Sequence, residues 1–404
     1  MGLSSIIVIA AGTVLNNRLL KPEIDREVFC EVLLNHYHSS TGSAEELNFG
    51  DQNSPSITLR WSSKGEVKSV IAAKDLADDD IVKLEEAFAE ALRPLETEYR
   101  RFPLFSYRPV SGAIGFEGWF QIVPAPATAP QPTSGWGDYV SVLEVCVQGS
   151  SLPMLVNQRA YRQAREIELL FSATTLAGFR LPIRNSESIW VLDPDNQWNP
   201  RYLQRGYSIT DVAGAVANFS DISNVEHIEL VPVNGYFDGR SQGSSDNAIL
   251  PETFPVLAMK FYGLNKKDKS RFLRASHWVM HIDEVWRISR SAAYIAAVSA
   301  IESLLPSPPK SEAACPSCGH KKTEGLTQRF AEFVDTMVGG AIPRKQRLDF
   351  YQRRSRLVHG QSIAKNDDLD LTSTDPLRLR EDGDQRWLTA ITRIVLHNWL
   401  IGKT

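Results

Sequence analysis

From about Lys266 to the C-terminus the sequence reads as helix almost without interruption, which confines the last third of the chain to an all-α arrangement. KDKSRFLRASHWVMHIDEVWRISRSAAYIAAVSAIESLL has the length of two helices, and LTQRFAEFVDTMV, PRKQRLDFYQRRSRLVH and DQRWLTAITRIVLHNWLIG supply three more. Short connections make sequence neighbours antiparallel, so an up-and-down helical bundle is expected over 266–404. The loop PSPPKSEAACPSCGHKK separates the second and third of these helices and carries a cysteine pair, within 306–322.

The chain ahead of the bundle is mixed, and the whole is expected to be α+β and multidomain. EIDREVFCEVLLNHYH reads as a helix after Pro22, and SITLRWS with EVKSVIAA reads as a hairpin around Ser63-Lys64-Gly65. DDDIVKLEEAFAEALRPL has acidic residues at its start and Pro94 after its end, the marks of a helix. IGFEGWFQIV reads as one strand. These make an N-terminal α+β domain over 1–123. PAPATAPQPTSG then places four prolines in an Ala/Thr/Ser setting, a stiff extended linker over 124–137. A middle α+β region over 138–265 follows, with DYVSVLEVCVQ as a strand and PMLVNQRAYRQAREIELLFSATTLAG as a long helix. VNGYFDGRSQGSSDNAILPE reads as loop.

At 404 residues the chain is long enough for two or three cores. LSSIIVIAAGTVL is too short to span a bilayer and lacks the flanks of a secretory signal, so no membrane partner is expected. Four cysteines in a chain of this length do not make a disulfide framework, which suits a reducing cytoplasm. The net charge of −4 argues against a protein that coats nucleic acid wholesale. Local balance differs: His320 to Gly360 holds nine Lys/Arg against four Asp/Glu. That basic segment fits a phosphate-handling site or a solvated face.

Within it lies FYQRRSRLVHG. On a helix, Phe350, Tyr351, Leu357 and Val358 bracket the direction of Arg354, so this arginine sits on an otherwise apolar face. An arginine taken from water needs a partner. Either Arg354 is paired structurally or its face is a seam holding a site. His359 closes the helix five residues on, Gly360 lets it end there, and Ser355 stands one turn before the histidine with a hydroxyl that can hold the imidazole. Arg274 to His281 is a rival pair at looser spacing, but it is followed by Ala275 and lies in mid-helix.

AVSAIESLLP, a loop, QRFAEFVD and then DFYQRRSRLVHG together resemble the HEPN superfamily, in particular its ApeA-like branch, over about the last third of the chain. The resemblance implies a helical bundle that pairs as a homodimer or a larger homo-oligomer. It also implies metal-independent endoribonuclease activity with Arg354 and His359 as the catalytic pair and Ser355 beside the arginine. The implied setting is a toxin-like anti-phage defence effector. Histidine supplies a group that titrates near neutrality, and arginine supplies a fork against the charge of a phosphorane.

CPSCGHKK gives half of a zinc knuckle, Cys315 and Cys318, with His320 close by; a structural zinc is expected, with no cofactor for catalysis. A reduced, exposed pair on a loop is the plain alternative. Gly239-Arg-Ser241-Gln-Gly243 matches G-x-S-x-G, but polar loop on both sides makes it a turn. No P-loop and no G-x-G-x-x-G occur, against an NTPase or a dinucleotide enzyme. Arg159, Arg162 and Arg165 along the middle helix read first as a solvated face. The expectation is thus a cytoplasmic endoribonuclease acting on RNA, gated by a partner such as a phage protein that contacts the first 265 residues. The alternative is a catalytically inactive, zinc-stabilised HEPN adaptor.

Overall fold

The computed structural model of the chain describes residues 25–37, 40–43, 46–50, 55–61, 67–72, 77–93, 96–127, 129, 139–181, 189–193, 196–203, 212–237, 247–286, 288–307, 325–367 and 376–403. LSSIIVIAAGTVL, Cys315, Cys318, His320 and Ser241 lie outside the described residues. The fold is α+β, and the chain forms two compact units, Met1–Glu98 with Cys146–Tyr161 and Tyr99–Val145 with Arg162–Thr404.

The first unit contains α1 (Arg26–His36), the antiparallel strands β1 (Ser40–Ser43), β2 (Glu46–Gly50), β3 (Pro55–Trp61) and β4 (Val67–Ala72), and α2 (Asp78–Ala91). Asp25 starts α1 by accepting from the amides of Glu27 and Val28 at 3.1 and 3.2 Å. Val28, Phe29 and Leu33 of α1 and Leu84 and Phe88 of α2 close over Phe49, Ile57 and Leu59 of the sheet. The expected hairpin is β3–β4, with Leu59 opposite Val70.

Three elements run through the division between the units: β5 (Thr97–Ser106), β8 (Tyr139–Gln148) and α3 (Pro153–Thr174). In the second unit IGFEGWFQIV is two strands, β6 (Ile114–Phe116) and β7 (Phe120–Pro124), where one was expected. Gly118 at φ +69° turns the chain between them, a conformation that favours glycine. β9 (Ile189–Asp193) and β10 (Asn196–Leu203) form a separate hairpin. With β11 (Gly214–Val216) the main sheet has the order β11-β5-β8-β7-β6. The proline-rich segment therefore joins two antiparallel neighbours of one sheet, β7 and β8. β12 (Leu230–Val231) pairs in parallel with β13 (Leu250–Pro251).

Glu144 of β8 is fully buried on this sheet and accepts from the Arg101 guanidinium, the Gln121 amide and both the hydroxyl and amide of Ser220, at 2.6–2.7 Å. Burial pushes its carboxyl up, but the Ser220, Arg101 and Gln121 hydrogen bonds outweigh it and hold the group below the usual carboxylate range.

The helices of the second unit are α4 (Phe254–Tyr262), α5 (Lys266–Val285), α6 (Arg290–Leu304), α7 (Leu326–Val338), α8 (Arg344–Val358) and α9 (Pro376–Ile401). Ser289 separates α5 from α6 by capping the Ala292 amide at 3.1 Å, and Asp367 accepts from the Ser289 hydroxyl and the Arg290 and Ser291 amides. α6 is buried nearly all round, from Ala293 to Leu304, and packs against α5, α8 and α9. No helix among the described residues is long and apolar enough to cross a membrane.

Candidate functional site

α8 presents one inward stripe at helical spacing, Arg347, Phe350, Tyr351 and Arg354, in which the two cations flank the two aromatic rings. Each cation has a carboxylate from another helix. Arg347 pairs with Asp335 of α7 at 2.5 Å, and its guanidinium also donates to the Ile342 carbonyl. Arg354 pairs through Nη2 with Glu302 of α6 at 3.0 Å. Arg353, one position round the helix, reaches Glu381 of α9 at 2.8 Å and lies 4.9 Å over the Tyr294 ring. Three other helices thus compensate three of the nine cations of the basic segment, while Arg356 is exposed with no carboxylate partner among the described residues.

The Arg354 environment is the most detailed part of this face. The Tyr351 hydroxyl donates to the other Glu302 oxygen at 2.9 Å, and the guanidinium lies 5.8 Å from the Tyr351 ring centroid. Burial first, then the bond to Glu302, pushes the Tyr351 phenol up to about 12, so it stays a donor at neutral pH. Glu302 therefore holds two donors at once, which fixes the guanidinium on the face of α8. The Arg354 side chain is 26% exposed, but its buried Nε has no hydrogen-bond partner among the described residues. The guanidinium is thus partly exposed and its position is set by Glu302.

α8 ends as Gly360 predicts. Gly360 adopts φ +67°, its amide donates to the Leu357 carbonyl at 3.2 Å, and the Gln361 amide donates to Arg356 at 2.9 Å. This is a Schellman motif with His359 as the cap residue. The imidazole is exposed at the helix end. Ser355 is half-buried, and its tie to His359 is through the backbone, the histidine amide donating to the serine carbonyl at 3.0 Å. No hydrogen bond joins the Ser355 hydroxyl to the imidazole, because the cap turn carries the ring out toward solvent.

The rival pair is arranged differently. Arg274 is exposed and donates to the Ser270 hydroxyl at 3.2 Å, while His281 faces Glu284 at 3.3 Å in the last turn of α5. Arg159 is not on a solvated face: it pairs with Asp25 at 2.6 Å and Glu27 at 3.0 Å, and its side chain is 10% exposed. Arg165 pairs with Glu168. Burial first, then Glu31 and Glu27, pushes the Cys30 thiol up to about 12, which keeps it unreactive. No group of three or more His, Cys, Asp or Glu suited to a metal ion occurs among the described residues.

Sequence reasoning overlooked Glu302, and placed Tyr351 beside Arg354 without its bond to that carboxylate. Glu302 had a signal, being the single carboxylate in RSAAYIAAVSAIESL, a helix otherwise apolar on nearly every side. Compared with known proteins, the chain matches no family model, no curated protein and no solved structure.

Proposed function

We propose that the chain is a metal-independent endoribonuclease whose reacting groups are Arg354 and His359. The observation that carries this reading is the α8 terminus, where an oriented and partly exposed guanidinium stands on the same helix as an exposed imidazole. In the reaction the ribose 2′-hydroxyl attacks the adjacent phosphorus and the 5′-oxygen leaves, giving a 2′,3′-cyclic phosphate and a 5′-hydroxyl. One imidazole takes the 2′ proton and a second, protonated, gives one to the leaving oxygen. Arg354 balances the charge of the phosphorane. Arg354 and His359 are five residues apart, about 140° around the helix, so one chain holds half a site and a two-fold homodimer completes it.

The resemblance to HEPN proteins adds the biological frame: a cytoplasmic, toxin-like effector of anti-phage defence, silent until a partner such as a phage protein contacts the first 265 residues. A structural zinc at Cys315 and Cys318, with His320 nearby, belongs to the same reading, and metal analysis of protein purified without chelator tests it. Wild type should cleave RNA in excess chelator, and His359→Ala and Arg354→Ala should each lose at least about a hundredfold. Arg274→Ala should cleave like wild type. Cleavage that survives His359→Ala overturns the assignment. If cleavage proves to need a partner, the same comparison is made with the partner added.

A specific contact favours the second reading, a catalytically inactive adaptor. Glu302 already neutralises Arg354, as a structural ion pair does. Wild type without cleavage under any condition, but with zinc bound and a stable oligomer, would establish it.

A further inference from the structure

A cleft of about 550 Å³ in the second unit, with no lining residue from α8, has the features of a ligand site. Its walls come from two groups of segments. Tyr107, Leu176 and Phe237 precede the C-terminal helices, while Trp286, Arg386 and Trp387 belong to the α5–α6 connection and to α9. A molecule seated there touches both.

Three of the aromatic walls are each in contact with a neighbour. The Tyr107 ring lies against Gly178, where an added Cβ would meet ring carbons at 2.2 Å, and the Tyr107 amide donates to the Ala177 carbonyl at 3.0 Å. Tyr107 is nonetheless 52% exposed. The Arg290 guanidinium lies 3.9 Å over the Trp286 ring. Trp387, 37% exposed, rests on Phe350 of α8 with centroids 5.5 Å apart. Rings that are both exposed and fixed can take a planar ligand with little ordering cost.

The charges in the cleft are unequal. Asp283 lines it but is held by both oxygens to Arg393, at 2.7 and 2.9 Å. Arg386 is exposed, with no carboxylate or hydrogen-bond partner among the described residues. The cleft therefore offers stacking surfaces beside one guanidinium that is uncompensated among the described residues. We infer that it binds a planar aromatic anion, its ring between the aromatic walls and its charge on Arg386. Two sources share this chemistry, a nucleoside phosphate and an aromatic carboxylate without a nucleoside. Trp387 also touches Phe350 of α8.

Titration calorimetry of the full chain with AMP and, separately, with indole-3-acetate tests this. At least one probe should bind saturably, and the neutral counterparts adenosine and indole should bind about tenfold more weakly. AMP alone would identify the nucleotide source, indole-3-acetate alone the other, and either result supports the site. Arg386→Ala should weaken binding about tenfold and Arg386→Lys less, with unchanged melting because Arg386 has no partner among the described residues to lose. Tyr107→Ala should weaken it severalfold through lost stacking. No saturable binding of either probe at millimolar concentration, or Arg386→Ala binding like wild type, overturns the inference. The measurement uses no RNA, so its failure leaves the ribonuclease reading intact, and the reverse holds too.

Discussion

Glu302 touches both Arg354 and Tyr351, and its removal separates the roles that Arg354 has in the two functional readings. Glu302→Gln keeps the shape and the bond to Tyr351 but leaves a part-buried guanidinium without its counter-charge. The pair is only partly screened, so each of Glu302→Gln and Arg354→Ala should cost roughly 1–2 kcal/mol. Because both changes break the same contact, the double variant should cost clearly less than the two together, measured as denaturation midpoints. Cleavage should also fall in Glu302→Gln, with the loss in kcat rather than KM, since an unoriented guanidinium serves the transition state poorly. Additive stability effects would show that Glu302 and Arg354 act independently.

The α8 terminus depends on backbone conformation more than on side chains. Gly360 sits at φ +67° with open space where a Cβ would go, so Gly360→Ala clashes with nothing and its cost is conformational alone. That cost should be about 1 kcal/mol, read as a small drop in denaturation midpoint. The change should also displace His359, the cap residue, so cleavage should fall further than stability does. α6 depends on burial instead. Its single carboxylate and its position against α5, α8 and α9 make it the element on which the Arg354 contacts are built.

At the scale of the molecule, two buried glutamates respond to pH in opposite senses. Glu144 has its folded pKa lowered, so its contribution is complete above its ordinary value of 4.5 and is lost as pH falls below that. Burial raises the Glu168 carboxyl, against the opposing pull of Arg165 and the Leu181 amide, so its contribution is complete below 4.5 and lost as pH rises through the shifted value. Glu144→Gln should destabilise on the order of 3 kcal/mol at neutral pH, leaving Arg101 without its buried counter-charge. It should also flatten the acid side of the stability profile, measured by thermal melting between about pH 3 and 7. An acid profile unchanged in Glu144→Gln would show that other groups set it. Local periodicity and capping were enough to read α1, α2, α3, the β3–β4 hairpin and the helices from α5 onward, because those signals lie within a turn or two of chain. The Schellman end at Gly360 was equally legible, since φ above zero favours glycine wherever it occurs. IGFEGWFQIV was misread as one strand because its turn rests on Glu117 and Gly118 alone, inside a segment that is otherwise mostly apolar. Arg159 was misread because its partners, Asp25 and Glu27, lie more than a hundred residues away. The same holds for Arg354. By itself the sequence determined that this arginine would stand on an apolar face and require a partner. Only the tertiary structure decided that the partner is Glu302 with Tyr351, since helical spacing fixes a direction within one element and packing alone fixes what is met there.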